Sequence, residues 1–192
     1  MPEIEGESVE LQFIGYFPKI TTLPAHWHAP GVAEICSVSN CLCTSPQDWI
    51  GHWKHNGWGL FSSVADARSV VTGAHKPFIV FAYRLLPRVF VKGHVKAYDI
   101  PELPLEPIPS NFVFLGFDAV SRSIADFFEC SPLSCNYMAA QIAGVNRYCL
   151  MDTLGEAVIL AKRFSIEEPE PGPYHVIEVL REGQSGRLGS AG

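Results

Sequence analysis

The chain has 192 residues, of which 47% are hydrophobic and 18% charged, with a formal net charge of −6. That length suits one domain or two small halves sharing a core, and the composition is too apolar and too weakly charged for general disorder. An acidic balance leaves no electrostatic footprint for nucleic acid or an anionic membrane, and no stretch is apolar for long enough to span a bilayer.

The N-terminus, MPEIEGESVE, has neither the basic start nor the apolar run of a secretory signal. A cytoplasmic location is the expectation, with the six cysteines as thiols or metal ligands rather than disulfides. LQFIGYF, residues 11–17, reads as a strand with a glycine at its centre, Gly15, a sign of a bulge or of close backbone approach. His26 and His28 flank Trp27 and would share one face of an extended segment; the plainer reading is a loop between Pro24 and Pro30. CSVSNC then spans Cys36 to Cys41. Ser45, Pro46 and Asp48 read as a helix start that turns Trp49, Ile50 and Trp53 inward. Asn56-Gly57 marks a turn inside WKHNGWG, a stretch able to line a pocket through Asn56 and Trp58. Ser63 and Asp66 form a capping pair for a helix that stops near Gly73, and residues 78–85 read as the next strand. Residues 88–98 are expected to return against that strand through a turn at Pro87.

Residues 98–110 are too rich in proline for regular structure and read as a linker. The second half opens on FVFLGFD, residues 112–118, again with a central glycine, Gly116. Asp118 and Arg122 lie near the strand end, where a polar binding site can form. CSPLSC spans Cys130 to Cys135, and a short helix would run to Ala143 and stop at Gly144. Asn146 begins a second turn, Thr153 and Glu156 form a second capping box, and the helix is expected to end near Phe164. IEEPEPGPY, residues 166–174, is an acidic, proline-stiffened loop that could present an edge to a basic partner. A strand covers residues 174–181, and the tail from 183 to 192 is of low complexity and expected to be disordered.

The same order of parts thus occurs twice. HNGWGLFSSVADA aligns without gaps on VNRYCLMDTLGEA, matching Asn56 with Asn146 and Trp58 with Tyr148. The expected fold is α+β: two duplicated β-α-α-β halves in a pseudo-twofold relation, with a mixed or antiparallel sheet. The first half plus its extra strand covers residues 1–97, the linker 98–110, the second half 111–182 and the tail the remainder.

Two Cys-Ser-x-x-x-Cys segments admit three chemistries. Buried cysteine packs as a small hydrophobe, and inherited core positions are the favoured account. Zinc is the alternative, held by Cys36, Cys41, Cys130 and Cys135 across the two halves with Cys43 or His28 as substitutes, although C-x4-C without a turn glycine makes a poor zinc ribbon. Cys130 is also the candidate nucleophile, because Ser131 and Pro132 can begin a helix that stabilises its thiolate, with His55 and His175 as bases by residue type alone. No cofactor is expected on the favoured account.

P-loop, dinucleotide-binding, zinc-protease and serine-hydrolase motifs are all missing. The sequence therefore reads as a recognition protein without catalysis: an inhibitor, immunity-type or adaptor protein whose partner is another protein, not nucleic acid or membrane. The alternative is a small-molecule-binding or cysteine-dependent enzyme domain with its pocket between the halves. The binding candidates are Asn56, Trp58, Asn146, Asp118 and Arg122, and the sequence leaves catalysis open.

Overall fold

The structure, a computed structural model, describes residues 3–4, 7–21, 23, 29–39, 56–72, 74, 77–122, 130–135 and 144–183. His26, Trp27, His28, Cys41, Cys43, the helix expected at Ser45, its stop at Gly73, most of the helix expected before Gly144 and the tail beyond 183 lie outside the described residues.

The fold is α+β, built on one antiparallel sheet with few helices. A two-stranded ribbon of β1 (Glu3–Ile4) and β2 (Glu7–Ser8) precedes it. The sheet comprises β3 (Gln12–Lys19), β4 (Ile79–Leu85), β5 (Arg88–Val91), β6 (His94–Ala97), β7 (Phe112–Ser121) and β8 (Tyr174–Glu182). Its order is β3-β4-β8-β5-β6, with β7 on the other side of β8. Three short helices are described: α1 (Val64–Ser69), α2 (Pro132–Cys135) and α3 (Leu154–Glu167).

The strands form where the sequence is richest in β-branched and aromatic residues. The ladders place Phe17, Phe81 and Val179 on one face of the sheet and Tyr16, Phe117, Val176 and Tyr174 on the other, all of them buried. The two central glycines behave as anticipated. Gly15 has φ +136° and Gly116 has φ +144°, and the ladder slips beside each one, between Phe13 and Gly15 and between Phe114 and Gly116. A Cβ on Gly15 would lie 2.8 Å from Leu60 Cβ, and one on Gly116 would lie 2.7 Å from the Met151 carbonyl oxygen, so both strands need a residue without a side chain.

Both expected caps are present. The Ser63 hydroxyl accepts from the Asp66 N–H at 3.0 Å, and Thr153 and Glu156 complete a reciprocal capping box. α3 runs three residues past the expected end at Phe164. It stops because Glu168, which precedes Pro169, takes a left-handed conformation with φ 48° and returns its N–H to the Phe164 carbonyl at 2.8 Å.

The expectation for residues 88–98 needs correcting. They do not return against β4; β5 and β6 pair with each other, and β5 also meets β8 at Phe90 and Tyr174. Lys92 and Gly93, with φ 48° and 78°, form the tight turn that closes this hairpin. Leu86 N–H donates to the Val176 carbonyl, so the chain continues along β8 through Pro87 instead of reversing there. Residues 98–109 carry neither helix nor strand. They are held against the sheet by Tyr16, whose hydroxyl reaches the carbonyls of Glu106 and Pro107 at 3.1 and 3.0 Å.

Candidate functional site

Strand alternation from the Gly116 bulge sends Asp118, Val120 and Arg122 to the same face of the sheet. His175 joins them, because it lies opposite Val120 in the β7–β8 ladder. Two polar clusters form on this face, one closed and one reaching the surface.

The closed cluster centres on Asp118, which is fully buried. Its carboxylate accepts from the Ser37 hydroxyl at 2.6 Å, the Val38 N–H at 3.0 Å and the Ser131 hydroxyl at 2.5 Å. Ser37 and Ser131 are the serines that follow Cys36 and Cys130. The two Cys-Ser segments are therefore tied to one carboxylate, which is what their shared serine does. Lys19 lies on the other side of the same stretch, also buried, and donates to the carbonyls of Ser37 at 2.9 Å, Val38 at 2.5 Å and Ser39 at 2.9 Å. Residues 37–39 thus run between a buried ammonium and a buried carboxylate. Burial pushes the Asp118 pKa up, while Ser131, Ser37, the Val38 N–H and the charge of Lys19 pull it down. Three donors and a neighbouring cation are what a carboxylate at this depth needs.

The second cluster joins Trp58, Tyr98, Arg122 and His175. The Arg122 guanidinium lies over the Trp58 ring at 3.9 Å from its centroid and donates to the Tyr98 hydroxyl at 2.8 Å. Tyr98 meets Trp58 edge-on at 5.9 Å and His175 edge-on at 4.9 Å. Trp58 and His175 are buried, whereas Tyr98 and Arg122 are half-buried. Desolvation first, and the charge of Arg122 second, lower the His175 pKa to about 3, so at neutral pH the imidazole is uncharged. The Arg122 main chain is fixed by its N–H bond to the Pro173 carbonyl at 3.0 Å.

Of the five binding candidates, Trp58 and Arg122 come into contact and Asp118 belongs to the closed cluster. Asn56 and Asn146 serve their own turns. Asn56 Nδ2 donates to the Ile14 carbonyl at 2.8 Å, and its Oδ1 accepts from the N–H groups of Trp58 and Leu60 at 2.9 and 3.2 Å. Asn146 repeats this with the Leu115 carbonyl at 2.8 Å and with Tyr148 and Leu150 at 2.9 and 3.2 Å, and also donates to Asp152 at 3.0 Å. Each amide locks a bulged strand to the turn that crosses it.

Cys36, Cys130 and Cys149 are buried and Cys135 is partly exposed. The four-cysteine zinc set includes Cys41, which lies outside the described residues; among the described residues no three His, Cys, Asp or Glu side chains are grouped so as to hold a metal ion. Cys130 is bridged to Ser121, its carbonyl accepting from the Ser121 N–H at 2.8 Å. Ser121 lies opposite Tyr174 in the ladder, and alternation along β8 turns Tyr174 and His175 to opposite faces. Cys130 and His175 are thereby separated by the sheet, and His55 lies outside the described residues.

Lys19, Ser37 and Tyr98 take part in these clusters without having been singled out, and Ser131 enters the sequence reading only as a helix start. The repeated Cys-Ser pair was the available signal for the two serines. Lys19 had none, since a lysine at a strand end has the same appearance whether it is buried or exposed. The chain matches no protein-family model, no curated protein and no solved structure.

Proposed function

We propose that the chain is a protein-recognition module made of two copies of one β-α-α-β unit, with its contact site where Arg122 and Tyr98 rest on Trp58. The support for duplication is the register of the sheet. Gly15 is paired with Tyr83, Gly116 with Val179, and Tyr83 with Val179. A twofold relation about the Tyr83–Val179 pair would match the two glycines, the two asparagine locks and the two helix caps, and this is the relation that duplication calls for.

The observation that carries recognition is the stacked guanidinium. Trp, Tyr and Arg are the residue types that dominate binding energy at protein interfaces, and here they are assembled at a half-exposed site from the first unit, the linker and the second unit. A guanidinium over an indole face offers more N–H donors than the one bond to Tyr98 uses, and a planar fork of donors reads a carboxylate or carbonyl. The small-ligand alternative draws on the same meeting of Trp58 with Arg122. The separation of Cys130 from His175 counts against a thiol–imidazole pair within it.

The test is cross-linked affinity purification of the tagged chain from the cells that make it, followed by binding measurements on the purified pair. A defined protein partner is expected, with affinity reduced at least tenfold, about 1.4 kcal/mol, in Arg122→Ala and several-fold in Tyr98→Phe, at unchanged melting temperature. Turnover in a broad hydrolase and transferase screen, lost in Cys130→Ala, would sink the proposal.

A further inference from the structure

The β5–β6 hairpin is a basic feature on an acidic chain. Arg88, Lys92, His94 and Lys96 occur between residues 88 and 97, and no Asp or Glu falls in that range, against a formal net charge of −6 overall. All four residues of β6 are exposed. β6 ends the sheet, so among the described residues no strand pairs with its outer side. A groove of about 680 Å³ lies alongside, lined by Val9, Glu10, Pro87, Arg88, Val95 and Lys96 with Ala97.

We infer that β6 accepts an extended acidic segment of a partner protein as an additional antiparallel strand. The proposal goes beyond the Arg122 site and shares with it only the reading that the ligand is a protein. An open strand edge supplies N–H and C=O groups at the spacing of a peptide backbone, and alternate side chains then set the sequence preference. His94 and Lys96 share one face of β6, and Val95 takes the other. The fitting segment therefore alternates acidic with apolar residues, placing carboxylates against His94 and Lys96 and the apolar side chains against Val95.

Three other occupants fit less well. A second copy of the chain pairing edge to edge would set Lys96 and His94 against their own equivalents, and like charges across a ladder destabilise it. Nucleic acid and anionic lipid would both leave the N–H and C=O groups of the edge unused, which an extended peptide pairs. A lysine on an edge strand also discourages indiscriminate pairing, so the side chain that guards the edge is the one that selects an acidic guest.

The experiment is fluorescence anisotropy with a labelled peptide alternating glutamate and valine, alongside its glutamine–valine counterpart. The glutamate peptide is expected to bind at least tenfold more tightly than the glutamine one at 50 mM salt and to weaken at 500 mM. Lys96→Glu should lose at least tenfold in affinity with no loss of folding, the residue being exposed. Glu10→Gln, which removes the one acid among the described groove residues, should tighten binding. Arg122→Ala should leave it unchanged, so that failure here and failure of the Arg122 site are told apart. Equal binding of both peptides would overturn the inference. So would binding of a short RNA, of phosphatidylserine vesicles or of a second copy of the chain at concentrations where the glutamate peptide does not bind.

Discussion

The strand and turn around Gly15 and Asn56 and the strand and turn around Gly116 and Asn146 are built alike up to a point. Glycine, asparagine, bulge and cap agree, and each makes the same backbone contacts. Beyond the glycines the two part company. Two residues after Gly15 stands Phe17, whereas two after Gly116 stands Asp118; four residues on stand Lys19 and Val120. Their ladder partners differ as well, Ile79 beside Lys19 and His175 beside Val120. The agreeing positions satisfy or shape the backbone. The differing positions carry the buried charge and the neutral imidazole. What the two regions share holds the fold, and what they do not share gives the molecule its polarity.

The largest effect is expected from breaking the difference. Asp118→Ala strands the Ser37 and Ser131 hydroxyls and leaves Lys19 without its buried countercharge, which should cost about 3–5 kcal/mol. Phe17→Leu, at the matching position, should cost about 1 kcal/mol. Urea unfolding measures both, and equal losses would show that the two positions are not specialised.

Breaking the agreement comes next. Gly15→Ala and Gly116→Ala each force a Cβ into backbone and side-chain atoms at a positive φ, and each should lose about 2–4 kcal/mol. A loss at one glycine without the other would contradict equivalent roles.

His175 sharpens the contrast through pH. Below pH 6.5 the unfolded chain takes up a proton at this residue, while the folded one stays neutral down to about 3. Stability contributed by the buried neutral form is complete above pH 6.5 and falls as the pH drops towards 3. His175→Ile, which copies Ile79, should lose stability between pH 6 and 4 less steeply than the parent, by about 1.4 kcal/mol per pH unit. Parallel stability curves would exclude a neutral buried His175.

The smallest effect concerns the turns. Gly59 has φ 68° and Cys149, at the matching place, has φ 61°. Gly59→Ala should cost about 1 kcal/mol, whereas Cys149→Gly should fall within about 1 kcal/mol of the parent, relief of the left-handed backbone offsetting the lost buried thiol. Thermal melts distinguish the two. A loss of several kcal/mol from Cys149→Gly would show that the thiol does more than fill space.

Local chemistry was legible because its partners are near in sequence. The strand glycines, both caps and the asparagine turns follow from residue type and short spacing. Asp118 carries only the signal of a polar residue at a strand end, because its partners, Ser37 and Ser131, are remote along the chain and come together only through folding. Tyr98 carries no signal, because linker residues have no period from which to read a direction. Pro87 resembles a reversal in the sequence, but the chain merely bends there, and the turn of the β5–β6 hairpin is at Lys92-Gly93.

The position of residues 37–39 also bears on the order in which the molecule can mature. Synthesis delivers Lys19, then Ser37 to Ser39, then β4, all before β7 exists. The N-terminal part of the chain can pair β3 with β4 and surround Lys19 with carbonyls while the anion that faces the other side of that stretch is still unmade. Until then the Ser37 hydroxyl and the Val38 N–H lack the acceptor they have in the folded chain and Lys19 lacks the anion near it, and the arrival of Asp118 supplies both.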